Sequence, residues 1–408
     1  MAPKYFAVVR AWVGVDLRLL TITFYACFYM PRPIYASIDI AALSHNLDVV
    51  KQSLSLAHAA SQPQVKVWAV IKANAYGHTI EAAVQGFAAA DGLALLDFDE
   101  AYRARQAGWR KPILMLEGAF DRSDMQLAME MDLTLVVHEV GQIAMLEQAS
   151  KGKPLGVYLK MNTGMYRLGF EPTEYLAMFV RLQHLLSVGK VSNITHMTHF
   201  ACAERTDGVE APMARFESIV ANLPGPWCVS NSAATFEHAA SIANRWARTD
   251  TEIWCRPGIC LYGGSPFESK SAAYFGLQSA MTLRSEIISI RAVCAGEGVG
   301  YGHTYRASRD MRIGVVACGY ADGYPRHAPS GTPVGIAGTT APVVGRISMD
   351  MITVDLTDHP QAKVGDEVVL WGEGGPGVDD VARLAGTIGY ELLTAVTARV
   401  ARRLIHSR

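Results

Sequence analysis

Between residues 34 and 256, short apolar runs alternate with stretches that repeat hydrophobic residues at helical spacing, an order that points to a wound α/β sheet or barrel. Ile34–Ile38 reads as a strand, and Asp39 is placed to cap a helix whose apolar stripe is Ile40, Leu43, Leu47, Val50 and Leu54. Val67–Ile71 is a nearly continuous apolar strand ahead of the helical stretch TIEAAVQGFAAA. Leu93–Leu96 precedes the charged helix DEAYRARQAG, and Pro112–Leu116 precedes RSDMQLAMEM. Leu133–Val137, Val157–Met161, Ile194–Thr198, Cys228–Ser230 and Trp254–Arg256 supply further strands, with helices such as PTEYLAMFVRLQHLL between most of them. About eight such units in roughly 230 residues fit a closed parallel (β/α)8 barrel of the TIM type over residues 30–263.

After Gly263 the helical period gives way to short β-rich runs, among them TLRSEIISIRAV, MRIGVVAC, APVVGRISMDMITVDL and AKVGDEVVLWG. These predict a second, mostly antiparallel β domain over residues 264–408, punctuated by turns or bulges at Gly335, Gly338, Gly345 and Gly365. GEGGPG, Gly372 to Gly377, has the look of a phosphate loop, but its place after a strand of this domain makes it a turn. The helix GVDDVARLAG and the stretch ELLTAVTARVARRLI finish the chain.

A formal net charge of −1 offers neither a basic face for nucleic acid nor an acidic tail, which leaves a small uncharged or zwitterionic molecule as the partner. The seven cysteines are scattered, without a C-x-x-C pair or zinc spacing, and are read as reduced thiols of a cytoplasmic protein; no metal is expected. Cys255 and Cys260 are close enough in sequence to suggest a pair, but the strand-like segment between them favours buried thiols. LLTITFYACFY, Leu19 to Tyr29, imitates a signal peptide, yet Asp16 and Arg18 interrupt the run and no small-x-small site follows it. The run is also too short to span a bilayer, so residues 1–29 are read as a non-native or mis-annotated extension, with the natural start at Met30.

Lys72, at the end of the strand VWAVI, poses the central question. In a parallel barrel the ligand site gathers at the carboxyl ends of the strands, and a lysine partly desolvated there loses basicity and becomes available as a base or a Schiff-base nucleophile. A lysine snorkelling to the surface explains this stretch equally well. YLKMNTGMYRLGF again ends a strand on a lysine, Lys160, with Arg167 following; THMTHFACAE places His199 at another strand end. SNSAATF brings Ser232 and backbone amides to the start of a helix, a favourable seat for phosphate, and RPGICLYGG adds Arg256 and Gly258. Each has a plain reading, with Ser232 a helix cap, His199 a core histidine and Arg256 a salt-bridge residue. Together they describe a pocket for a phosphorylated cofactor held on an amine.

The combination AVIKANAYGHT, LKMNTGMYRLGF, THFACAE, NSAAT, RPGICLYG, VGYGHTY, GYADGYPR, VVGRISMD and GYELLTAV resembles the alanine racemases, over nearly everything from Met30 onward. The resemblance implies pyridoxal 5'-phosphate as cofactor, alanine as substrate, no nucleic acid or membrane partner, and a homodimer with sites shared between chains. It implies that Lys72 carries the cofactor and serves as one base, with Tyr301 as the opposing base. Racemisation is best served by such a pair, since the Cα proton leaves one face and returns to the other. Tyr76, Ser232, Gly258, Ile259 and Tyr390 would hold the phosphate, His199 would pack near the pyridine ring, and Arg256 would face its nitrogen. A permanently protonated guanidinium there can only donate, so the ring nitrogen stays unprotonated and the cofactor is a weaker electron sink. Arg167 would meet the cofactor's phenolic oxygen and the substrate carboxylate, and the backbone of Met349 that same carboxylate. Lys160 would be carbamylated, placing an anion beside Arg167. Tyr305, Tyr320 and Arg346 would narrow the approach to the site, joined by Glu204 where the family more usually has aspartate.

A barrel decarboxylase would share the lysine but lack the VGYGHTY tyrosine. A noncatalytic cofactor carrier would need no β domain. A racemase of broader specificity is the nearest alternative. The role is open between supplying D-alanine for peptidoglycan and degrading alanine, with the opening MPRPIYASIDIAALSHNL closer to catabolic members.

Overall fold

The architecture was obtained as a computed structural model, which describes residues 32–57, 65–149, 152–246 and 252–407. The proposed extension, residues 1–29, lies outside them. Strand β1 (Tyr35–Asp39) comes first, followed by β2 (Lys66–Val70), β3 (Gly92–Leu95), β4 (Ile113–Met115), β5 (Thr134–Val137), β6 (Leu155–Lys160), β7 (Val191–Met197), β8 (Trp227–Ser230) and β9 (Ile253–Cys255). Strands β2 to β9 form a closed barrel in sequence order, and β9 returns to β2 through Lys66 opposite Trp254 and Val67 opposite Cys255. Every pairing in it is parallel, which explains the unbroken apolar runs: such strands are covered on both faces.

Aromatic side chains fill part of the barrel core. Trp68 stacks on Trp254 with ring centroids 4.5 Å apart, and its indole N–H donates to the Tyr158 hydroxyl at 3.1 Å. Gly92 makes room for that indole, because a methyl group at its Cα would lie 2.1 Å from the Trp68 ring.

The remaining strands are β10 (Met281–Val293), β11 (Gly298–Val299), β12 (Tyr305–Arg306), β13 (Met311–Val316), β14 (Pro333–Ile336), β15 (Thr339–Pro342), β16 (Ile352–Asp355), β17 (Glu367–Trp371) and β18 (Ala401–Ile405). They build a mostly antiparallel sheet ordered β15-β14-β17-β10-β1-β18, with β13 and β16 branching from β10 and the hairpin β11-β12 standing apart. The first strand therefore departs from the expected barrel unit. It lies between β10, antiparallel, and β18, parallel. A strand buried between two neighbours carries the same apolar signal in either sheet, so its sequence alone does not choose between them.

The helix that follows, Ile40–Ala57, behaves as expected. Asp39 accepts from the N–H groups of Ala41 and Ala42, and Ile40, Leu43, Leu47, Val50 and Leu54 are all buried. This helix packs beside Ile80–Gly86 and Ala239–Trp246 and covers the barrel where the chain after β9 forms only a 3-10 turn, Ile259–Tyr262. Buried Asn46 fastens it by donating to the carbonyls of Leu261 and Gln278 and accepting from the Gln278 N–H.

Two glycine-rich expectations differ in outcome. Gly372 to Gly377 is a turn closed by Gly372 N–H to Pro376 O. Gly335, expected in a turn or bulge, lies inside β14, where the Gly374 carbonyl would sit 2.3 Å from an added Cβ; close backbone approach excludes a side chain there. Cys255 and Cys260 are free thiols, and both are buried. Among the described residues no helix is long and apolar enough to cross a membrane.

Candidate active site

The chain leaves β2 through Ile71 and enters a backbone conformation that its residues ordinarily avoid. Ala73, Asn74 and Ala75 have φ/ψ of 55/54°, 51/48° and 54/54°, and Tyr76 has φ of 51°, so Lys72–Tyr76 is a left-handed turn built without glycine. L-residues resist this region by roughly 1–2 kcal/mol each, and such strain persists only where the surroundings hold it. Here the Ala75 N–H reaches the Ile71 carbonyl at 2.8 Å, Gly77 N–H reaches Ala73 O at 3.0 Å, and Thr79 N–H reaches Asn74 O at 2.9 Å. The result is that Lys72 and Tyr76, four residues apart, both line one cavity at the carboxyl end of the barrel.

That cavity has a volume of about 1130 Å³. Burial and the nearby Arg167 charge lower the Lys72 pKa, opposed by Glu117. Lys160, more deeply buried at the end of β6, is pushed down to about 7 by desolvation and then by Arg256 and Arg167, again opposed by Glu117. His199 is driven well below its ordinary value by burial first and by the same cations second, so its imidazole is neutral. Lys72, Lys160, Arg167 and Arg256 line the cavity against three glutamates, Glu117, Glu204 and Glu391, a small cationic excess that suits an anionic ligand.

Arg256 holds its charge among neutral partners. It is 4% exposed and donates to the carbonyls of Cys228 and Thr198, to the Cys228 sulfur and to His199 Nδ1. Among the described residues these neutral groups are its partners, and no carboxylate joins them, so the salt-bridge reading falls away.

Ser232 is likewise not a helix cap. Asn231 takes that part, its side chain accepting from the Ala234 N–H at 3.0 Å, while the Ser232 hydroxyl accepts from the Gly258 N–H at 2.8 Å. A methyl group at Gly258 would lie 2.4 Å from the Tyr76 hydroxyl oxygen, so glycine keeps a shallow cradle open between Tyr76, Ser232 and the backbone at Gly258 and Ile259. Tyr390 enters from the carboxy-terminal helix Gly389–Ala395, its ring 6.0 Å from that of Tyr76. Burial raises the pKa values of both phenols, which stay protonated and available as donors. Neutral hydroxyls and backbone N–H groups around a cationic mouth fit the phosphate and ring of a pyridoxal cofactor.

Glu204 and Arg167 also line the cavity. Tyr301, Tyr305, Tyr320, Arg346 and Met349 do not; they lie together on the β-rich part of the chain. Tyr301 stands in the turn Tyr301–His303 at the tip of the β11-β12 hairpin and is 71% exposed. Tyr320 N–H meets Ser348 O, and Ala321 N–H meets Met349 O, which ties the loops carrying Tyr320 and Met349 together.

Glu117 and His138 escaped the sequence reading although they line the cavity, two residues past β4 and one past β5. Their place just beyond a barrel strand was the available signal. The His138 Nε2 lies 3.0 Å from the Glu117 carbonyl, and burial lowers the histidine's pKa.

Residues 38–266 match the family described as "Alanine racemase, N-terminal domain", and residues 280–404 match "Alanine racemase, C-terminal domain". Alanine racemase from Bordetella petrii is 53% identical over 373 residues, covering 91% of this chain and 98% of that protein. The crystal structure of the biosynthetic alanine racemase from Pseudomonas aeruginosa superposes with a TM-score of 0.83 at 42% identity, covering 92% of this chain and all of that one. The alanine racemase from Acinetobacter baumannii gives 0.81 at 35% identity, again over 92% of this chain.

Proposed function

The chain belongs to the alanine racemase family, and from that premise we propose that Lys72 and Tyr301 are the two groups that exchange the Cα proton. The activity is interconversion of L- and D-alanine, with pyridoxal 5'-phosphate as cofactor. When bound, that cofactor acidifies Cα by drawing its electrons toward the pyridine ring. Lys72 carries it and moves the proton on one face of Cα, aided by a pKa already lowered by burial and by Arg167. Tyr301 moves the proton on the opposite face. Tyr76, Ser232, Tyr390 and the backbone at Gly258 and Ile259 would hold the phosphate, and Arg256 and His199 would bind the ring.

Arg167 and the backbone of Met349 orient the substrate carboxylate, with Glu204, Tyr305, Tyr320 and Arg346 along the approach. Lys160, whose amine loses much of its charge near neutral pH, would add carbon dioxide through its nitrogen and release a proton to solvent, leaving a carbamate that would face Arg167. We read residues 30–263, apart from strand β1, which joins the other sheet, as the cofactor-bearing domain and 264–408 as the domain that delivers Tyr301 to a second copy of the chain, in a cytoplasmic homodimer.

One observation carries this reading: Lys72 lines a cavity that already contains the phosphate-type donors, while Tyr301 stands exposed on a hairpin tip outside it. The deciding experiment follows Cα hydrogen exchange with heavy water from L- and from D-alanine. Wild type exchanges both, Lys72→Ala neither, and Tyr301→Phe, with cofactor absorbance intact, chiefly one enantiomer. Equal exchange from both enantiomers by Tyr301→Phe overturns the two-base assignment.

A further inference from the structure

The left-handed turn at Lys72–Tyr76 is clamped by two side chains from opposite ends. At its start, the Asn74 N–H donates to Glu100 Oε1, which reaches across from the helix Phe98–Gln106. At its finish, His78 Nδ1 lies 3.1 Å from the Ala75 carbonyl and 2.9 Å from the Tyr76 carbonyl, so that nitrogen carries the proton and is shared between them. Both clamping groups are held under unfavourable conditions. His78 is fully buried, and its Nε2 and the second Glu100 oxygen are buried without a hydrogen-bond partner among the described residues. A polar atom stranded in this way costs stability, and so does each residue forced into the left-handed region.

We propose that Glu100 and His78 are positioning residues for Lys72: they hold the strained turn in the one conformation that aims the lysine and Tyr76 into the same cavity. This deepens the reading of Lys72 as the cofactor-carrying base and rests on it. A right-handed turn of the same residues would send Lys72 and Tyr76 along a different path, and neutral alanines lack any preference that would prevent it. Arg402 supports the same segment from β18 with a long contact, 3.4 Å, to the Gly77 carbonyl, and the Leu393 carbonyl fills the space beside Gly77. The two side-chain clamps act on the turn itself.

The test compares Glu100→Ala and His78→Leu with Glu100→Gln and His78→Asn, which keep an acceptor and a donor in nearly the same places. In the enzyme without cofactor, segment-resolved amide hydrogen exchange across residues 72–78 is expected to quicken by about tenfold or more in the first pair and to recover in the second. In the holoenzyme, kcat falls by about a hundredfold in the first pair with a much smaller change in KM. Unchanged exchange in the turn and unchanged kcat, in variants that merely melt earlier, overturn the proposal. Should Glu100→Ala not fold, the wild type decides: an Asn74 amide that exchanges as freely as an exposed loop amide also overturns it. Borohydride trapping of pyridoxal phosphate on wild type, followed by peptide mapping, separates this from the parent reading. A label on another lysine refutes the role of Lys72, whereas a label on Lys72 that is lost in Glu100→Ala and regained in Glu100→Gln supports the clamp.

Discussion

Arg256 Nη2 donates to His199 Nδ1 at 3.0 Å, so the imidazole turns its bare nitrogen to the guanidinium and keeps its proton on Nε2. Protonating His199 would set two cations against each other. The arginine's other donors satisfy the carbonyls of Cys228 and Thr198 at the strand ends. Arg256→Met is therefore expected to strand those carbonyls and to destabilise the chain by about 2–4 kcal/mol, read from urea unfolding. A loss below about 0.5 kcal/mol would mean that water replaces the guanidinium at no cost.

Lys160 gives a pH dependence of definite sign. Its pKa is lowered to about 7 from an ordinary 10.5, so between those values the unfolded chain binds a proton that the native chain does not, and stability rises with pH. The contribution is on the order of 4 kcal/mol across that window and is absent below it. In buffer freed of carbon dioxide, where the amine stays free, Lys160→Met should flatten the rise between pH 7 and 10, and ¹³C-labelled bicarbonate should then give a carbamate resonance in wild type that the variant lacks.

His78 and His196 set the acid limit. Each is pushed down to about 4 from 6.5 by burial, so each stabilises the fold fully above pH 6.5 and loses that contribution as pH falls toward 4. About 3 kcal/mol apiece is at stake. Urea midpoints should fall steeply between pH 6 and about 4.5, and His196→Gln should soften the fall; a flat profile over that range contradicts the assignment.

The turn after β2 predicts a stabilising substitution. Ala73 is exposed and left-handed, so Ala73→Gly removes a penalty of roughly 1–2 kcal/mol, while glycine gives back about 0.5–1 in chain entropy. A net gain of about 0.5–1 kcal/mol is expected by thermal unfolding.

The exposed Tyr301 predicts complementation. Lys72→Ala and Tyr301→Phe homodimers, each inactive as a two-base racemase, should regain activity when unfolded and refolded together. If sites are shared, half the dimers are mixed and each has one intact site, which gives about a quarter of wild-type activity. No recovery in a verified mixed dimer places Lys72 and Tyr301 in the same chain's site.

Much of this was legible in the residues. Parallel barrel strands are covered on both faces, so runs such as Val67–Ile71 announced themselves, and their ends fell within two or three residues of those observed. Lys72, Lys160, His199, Ser232 and Arg256, which line the cavity beyond those strands, followed from the same logic, whereas Glu117 and His138 escaped it and Tyr76, Tyr390 and Glu204 came through resemblance. β1 was misplaced because a central strand of an antiparallel sheet can be as apolar as a barrel strand. The left-handed turn was illegible: Lys-Ala-Asn-Ala-Tyr carries ordinary helical residues, and what bends it the other way arrives from Glu100 and His78, distant or too short-ranged to read as a pattern. Tyr301, Tyr320 and Met349 were reached through resemblance alone, since an exposed hairpin tip says nothing of what it meets.

The parallel pairing of β1 with β18 sets Tyr35 opposite Ala401. During synthesis the first of these strands leaves the ribosome with its lasting neighbour not yet translated, and at about 5–20 residues per second the wait is roughly half a minute. The barrel strands can assemble in the order they emerge, but the side of the other sheet next to β1 stays open until β18 has been made. Removal of β18 would thus leave one side of β1 bare, with β10 its remaining neighbour.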